Sequence, residues 1–146
     1  MKIIQVSGLS GSGKTTFIKT LIPALNNKGR VAVVKHLGDH DFDLEEGKDT
    51  TSFFLAGAEI SAGIDAHKSV VALQNNSLDA ILALLNGQGM DFAVIEGFKQ
   101  RSFKKIVIGD LQAEGCILRN PTTDEVVASI ERFDTYRDKT GGTGNL

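Results

Sequence analysis

The stretch that most limits what this chain can fold into is residues 6–17, VSGLSGSGKTTF, which overlaps the end of an apolar run containing Ile3, Ile4 and Val6. From Gly8 to Thr15 it fits G-x-x-x-x-G-K-[ST] at every fixed position. Glycines let the backbone fold tightly and turn successive N–H groups inward, so a turn of this kind gathers an anion when a strand feeds it and a helix leaves it. Both neighbours are legible. Residues 2–7 (KIIQVS) predict a strand, and from Lys14 the apolar spacing changes to Phe17, Ile18, Leu21, Ile22 and Leu25, a helical stripe ending at Asn27, Lys28 and Gly29. Pro23 lies inside that stripe and predicts a kink one turn upstream.

Beyond this unit, short β-branched runs alternate with helical patterns, which predicts an α/β domain with a largely parallel sheet. Residues 31–35 (VAVVK) read as a second buried strand, followed by the acid-rich loop HLGDHDFDLEEG. A short helix is expected over 48–56 with Gly57 at its C-terminal end, then strands at 59–64 and 69–73 around a turn at 65–68. Ser77 can cap a helix bearing Leu78, Ile81, Leu82 and Leu85. DFAVIEG (91–97) and KKIVIG (104–109) predict two more strands. Thr122 and Glu125 have capping-box spacing before a last helix with Val126, Ile130 and Phe133 on one face.

The chemistry expected of the turn follows from its side chains. Gly8, Ser10, Gly11, Ser12 and Gly13 would present amides to phosphate, and Lys14 would reach the β- and γ-phosphates. The Thr15 hydroxyl is short enough to ligate Mg²⁺, and Thr16 would contact the α-phosphate. A dinucleotide fingerprint fails, because G-x-G-x-x-G started at Gly11 requires glycine where Thr16 stands. A phosphate-bound Mg²⁺ also calls for an acid at the end of a neighbouring strand. DFAVIEG offers Asp91 and Glu96, which at 3.3 Å per residue stand roughly 16 Å apart, so only Glu96 can serve. Glu96 is therefore the expected metal and catalytic carboxylate, placed where an aspartate is commoner, and Gly97 would turn the chain past the γ-phosphate.

Two loops remain. His36 and His40 are spaced for zinc only on a helix, which the glycine and aspartate between them oppose, and an EF-hand started at Asp39 fails at Leu44 and Thr50. Asp41 or Asp43 could instead approach Mg²⁺ or an incoming substrate, the alternative being a solvated turn. Lys99, Arg101, Lys104 and Lys105 could hold a second phosphorylated molecule or form a plain charged surface.

Composition narrows the partners. The 146 residues suit one domain, expected over 1–138 with a flexible glycine-rich tail at 139–146. With 16 basic against 18 acidic side chains, nothing general favours nucleic acid or an anionic membrane. The lone Cys116 allows no internal disulfide and no thiolate cage, and no apolar stretch is long enough to span a bilayer, so a cytoplasmic location is expected.

The blocks GLSGSGKTTFIKTLIPAL, VKHLGDHDFD with GKD and AGA following, and DFAVIEGFK before KI resemble the MobB family, the molybdopterin-guanine dinucleotide biosynthesis adaptor proteins, over about residues 1–108. The resemblance implies a P-loop NTPase three-layer α/β/α fold of the SIMIBI type with a mostly parallel sheet. It implies GTP and Mg²⁺ as ligands, weak GTP hydrolysis, a homodimer, and assistance to a molybdopterin guanylyltransferase, with molybdopterin itself a further candidate partner. Carried over by position, Gly13, Lys14, Thr15 and Thr16 would bind the triphosphate and metal. His36, Asp41, Asp43, Lys48 and Asp49 would line the adjoining cleft, and Glu96, Gly97 and Lys99 would form its floor. No N-K-x-D guanine reader is present, since NKGR (27–30) puts Arg30 at the aspartate position, so guanine follows from the resemblance only. Two other classes fit the residues: a P-loop small-molecule kinase with Arg101 or Arg119 over the phosphates, and a nucleotide-dependent switch without productive chemistry.

Overall fold

The computed structural model describes residues 1–137, so the expected tail at 139–146 lies outside the described residues. They form two compact units, one of residues 1–36 with those from Leu82 onward, the other Leu37–Ile81.

The first unit is built on strand β1 (Lys2–Gly8), whose interior residues are all buried. It runs parallel to β5 (Phe92–Glu96) on one side and to β6 (Lys105–Ile108) on the other. Strand β2 (Val31–Lys35) adds outside β5 and β7 (Cys116–Arg119) outside β6, both parallel, giving the order β2-β5-β1-β6-β7. A two-residue strand β8 (Asp134–Thr135) pairs antiparallel with Lys2 and Ile3. The sheet is thus mostly parallel, with a helix crossing from β1 to β2 and loops alone joining β5 to β6 and β6 to β7. VAVVK forms the expected strand but not a buried one: β2 is the sheet edge, and Val33 is 44% exposed.

Helix α1 (Lys14–Asn26) buries Ile18, Leu21 and Leu25 against Ile4, Val6, Val94 and Ile106, joined by Val126 and Phe133. Its apolar positions recur at helical spacing, and Pro23 falls three residues before the end, where the helix continues to Asn26. Strand residues alternate in direction, so Gln5, Ser7, Lys105 and Val107 point to the sheet face opposite α1. The capping box forms: Glu125 N–H donates to Thr122 Oγ1 at 3.2 Å and Thr122 N–H to Glu125 Oε2 at 2.7 Å. The helix it opens, α4 (Thr123–Ala128), is shorter than expected. A 3₁₀ turn at Ile130–Arg132 takes over, and Phe133 reaches the core from extended backbone.

In the second unit, α2 (Asp49–Leu55) precedes a hairpin of β3 (Ile60–Ile64) and β4 (Ser69–Leu73). Ser61 Oγ donates to Thr50 O at 2.7 Å and ties β3 to the start of α2. The turn is closed by Asp65, whose Oδ1 accepts from the N–H groups of His67 and Lys68. Helix α3 (Leu78–Gly87) carries the expected Ser77 cap, with Ala80 N–H donating to Ser77 Oγ at 3.1 Å. Among the described residues no helix is long and apolar enough to cross a membrane.

Candidate functional site

The turn from Gly8 to Gly13 is held by its own main chain. Ser12 N–H donates to Leu9 O at 3.2 Å, and Gly13 caps α1 in the left-handed region at φ 94° with no side chain at the helix start. Gly13 and Gly11 need glycine for conformation, since space is open where a Cβ would stand. Gly8 needs it for room: a Cβ there would lie 2.5 Å from both Ile108 O and Ser12 Oγ. None of the residues in the first turn of α1 is acidic, so the turn brings no carboxylate of its own to its free amides. Lys14 folds back over the loop, its ammonium donating to Gly8 O at 3.1 Å and Leu9 O at 2.7 Å.

Glu96 ends β5 beside this turn. It is buried, and Thr15 Oγ1 lies 3.3 Å from each of its carboxylate oxygens. Lys35, which closes β2 in register with Glu96, brings Nζ to 3.5 Å from Oε1. Ser10, Gly11, Gly13, Lys14, Thr15, Thr16, Lys35 and Glu96 line one cavity of about 370 Å³. Sequence reasoning missed Lys35. The signal was available in the matched ends of two parallel strands, VAVVK and FAVIE, each closing on a charge.

The remaining expected residues have local surroundings of their own. Ser12 does not line this cavity, and among the described residues its buried hydroxyl has no hydrogen-bond partner. Gly97, at φ 90°, stands against His36, whose N–H donates to Glu96 O at 2.9 Å and whose ring stacks on Phe98 at 4.6 Å. Phe98 is itself left-handed at φ 52°, and Gln5 Nε2 steadies the bend by donating to both Gly97 O and Phe98 O. Lys99 lines a different cavity from Glu96. In the second unit, Asp41 and Asp43 are exposed in irregular chain, Lys48 pairs with Glu45 at 3.4 Å, and Asp49 opens α2. No group of three His, Cys, Asp or Glu side chains among the described residues could hold a metal alone.

Asp91 is structural, at the other end of β5. Its Oδ2 accepts from Arg30 N–H at 2.7 Å and its carbonyl from Lys2 N–H at 2.8 Å. Arg119 donates to Gly109 O at 2.8 Å and Leu111 O at 3.1 Å, which fixes it to a loop.

A parallel sheet with a glycine turn between its central strand and a packed helix, and an acid at the end of the adjoining strand, defines a P-loop NTPase-like α/β protein. The sequence profile of MobB, molybdopterin guanine dinucleotide synthesis protein B, matches residues 3–132, and the chain belongs to that family. The match runs past residue 108, where the sequence resemblance faded, to include β7 and α4. The Escherichia coli molybdopterin-guanine dinucleotide biosynthesis adapter protein is 33% identical over 115 residues, covering 73% of this chain and 64% of that relative. A Bacillus subtilis protein named "Probable molybdopterin-guanine dinucleotide biosynthesis adapter protein" is 36% identical over 110 residues, covering 73% and 64%. The chain thus spans less than two thirds of the length of both. The crystal structure of Bacillus subtilis MobB superposes with a TM-score of 0.64 at 28% identity, covering 82% of this chain and 77% of that one.

Proposed function

We propose that this chain binds GTP with Mg²⁺ at the Gly8–Thr16 turn and acts as an adaptor in molybdenum cofactor biosynthesis. In this reading it assists a guanylyltransferase that converts molybdopterin to molybdopterin guanine dinucleotide, in the cytoplasm, with weak GTP hydrolysis of its own. The observation that carries the nucleotide part is the convergence of Lys14, Thr15, Lys35 and Glu96 on one cavity beside an uncapped helix start. The donor set fits Mg²⁺, since Thr15 and Glu96 offer hard oxygens side by side and the ion prefers such ligands together with phosphate. Thr15 and Glu96 would hold the ion, which when bound neutralises charge on the phosphates. Lys14 would leave its two carbonyl partners for the β- and γ-phosphates, and Lys35 would keep Glu96 oriented.

Weak hydrolysis agrees with the same geometry, because Glu96 is already engaged by Thr15 and Lys35 and is poorly free to position water. The fixing of Arg119 on main-chain carbonyls weighs against a kinase lid built on that residue. For guanine and the guanylyltransferase partner, the support is membership of the family. A homodimer is supported by one face of the hairpin, where Ile60, Ile64 and Val71 are exposed.

Calorimetric titration with GTP and ATP, with and without Mg²⁺, tests the reading, followed by guanylyl transfer to molybdopterin by the partner enzyme with and without this chain. GTP preference and stimulated transfer are expected, and Lys14→Ala should lose triphosphate binding while keeping its fold. Unchanged GTP affinity in Lys14→Ala would remove the nucleotide assignment.

A further inference from the structure

On the sheet face opposite α1, a second cavity of about 480 Å³ opens between the loops 99–102 and 111–115, with Ser7 and Lys105 at its base. Both are deeply buried, Ser7 at 3% and Lys105 at 4% exposure. Among the described residues the Ser7 hydroxyl has no hydrogen-bond partner. The Lys105 ammonium donates to Arg101 O at 3.2 Å, and among the described residues no carboxylate lies within ion-pairing distance of it. Its backbone is locked in place, with Lys105 N–H donating to Gly115 O at 2.8 Å. A buried ammonium with N–H groups to spare, next to a buried hydroxyl without a partner, is an arrangement that an anion completes.

We propose that this cavity binds a small molecule carrying a phosphate monoester, with Lys105 and Ser7 on the phosphate oxygens. Charge selects phosphate over carboxylate. Lys99 and Lys105 bring two cationic side chains to the cavity against the single carboxylate of Glu114, and a phosphate monoester carries close to two negative charges at neutral pH where a carboxylate carries one. Size selects an ester over the bare ion, because the space is within the range of pockets that enclose a whole small ligand. The rim is ordered as well, since Arg101 stacks over the Phe103 ring at 5.0 Å. The site does not depend on the nucleotide reading, since it shares no lining residue with the Lys14 cavity.

The test uses the ¹⁵N-labelled Lys14→Ala chain, in which the glycine turn is disabled, titrated with inorganic phosphate, phenyl phosphate and acetate. Saturable shifts at the amides of Ser7, Ser102 and Gly115 are expected with both phosphates, tighter for the ester, and weaker by at least tenfold with acetate. Adding Lys105→Met should cut the phenyl phosphate affinity by at least tenfold, with thermal stability kept or raised. Ser7→Ala should cut it about threefold and serves should the methionine variant misfold. In the otherwise native chain, Lys105→Met should leave GTP affinity unchanged, which separates failure here from failure at the turn. Absence of shifts at those amides, equal binding of acetate, or full affinity in both variants would overturn the proposal.

Discussion

Thr15 Oγ1 stands 3.3 Å from both carboxylate oxygens of Glu96, so a hydroxyl from the first turn of α1 meets the end of β5 symmetrically. The pairing exists because β5 lies beside β1 in parallel register, which brings the end of one strand to the turn that follows the other. Two hard oxygen donors are held side by side.

Thr15→Val and Glu96→Gln should each weaken Mg²⁺-dependent GTP binding on the order of 10- to 100-fold, the range seen when groups supporting a metal are lost. Binding measured in EDTA should change far less. Isothermal titration in the two conditions separates the effects, and equal losses with and without Mg²⁺ would argue that these residues touch nucleotide rather than metal.

Lys35→Met removes the cation beside a buried carboxylate. The Lys35 side chain is half exposed, so solvent screens the pair, and the expected stability loss is at most about 1 kcal/mol. GTP affinity should fall as well, because Glu96 loses its orientation. Urea unfolding gives the first quantity and calorimetry the second; a loss of several kcal/mol would mean that Lys35 packs more than it pairs.

Gly8→Ala and Gly11→Ala should fail for different reasons. At Gly8 a methyl would collide with Ile108 O and Ser12 Oγ, and overpacking of this kind costs about 1–3 kcal/mol. At Gly11 the space is open, but φ is 74°, and left-handed backbone costs a residue with Cβ about 1–2 kcal/mol. The first variant should also displace β6 relative to β1, visible as amide shifts at Ile108, whereas the second should confine its shifts to the turn.

The Asp65 carboxyl is held below its ordinary value, first by the Lys68 ammonium at 2.6 Å and then by the N–H groups of His67 and Lys68. A depressed acid stabilises the hairpin turn at pH values above its unfolded pKa and loses that contribution as pH falls through the folded one. Amide shifts of His67 and Lys68 should therefore titrate below the usual aspartate range, and Asp65→Asn should abolish that titration. A midpoint at or above 3.8 would show the turn to be open in solution.

Ile64→Asp with Val71→Asp should shift a dimer toward monomer, because both residues lie exposed on one hairpin face. Sedimentation equilibrium reads the change. A monomeric parent chain, or a double variant as dimeric as the parent, would move the interface elsewhere.

The glycine turn, its strand and its helix were legible because their requirements are local: a fixed residue spacing, a period of two, then a period of 3.6. What went unread depended on neighbours. VAVVK looks the same whether it is central or at an edge, and only the strand order exposes Val33. CILR and Asp134–Thr135 are too short to show a period, and α4 stops at Ala128 although the apolar stripe continues to Phe133. Lys105 read equally well as charged surface or phosphate holder, and its burial shows only in the structure. Lys35 entered the site through its register with Glu96, a relation that a linear reading does not display.

Strand β1 lines the cavity behind the sheet with Ser7 and leads through Gly8 into the glycine turn. Being adjacent on a central strand paired on both sides, the two cannot be repositioned separately. Redesign of either compartment from this strand would disturb the other, whereas tuning through the outer loops or the edge strand would leave its companion intact.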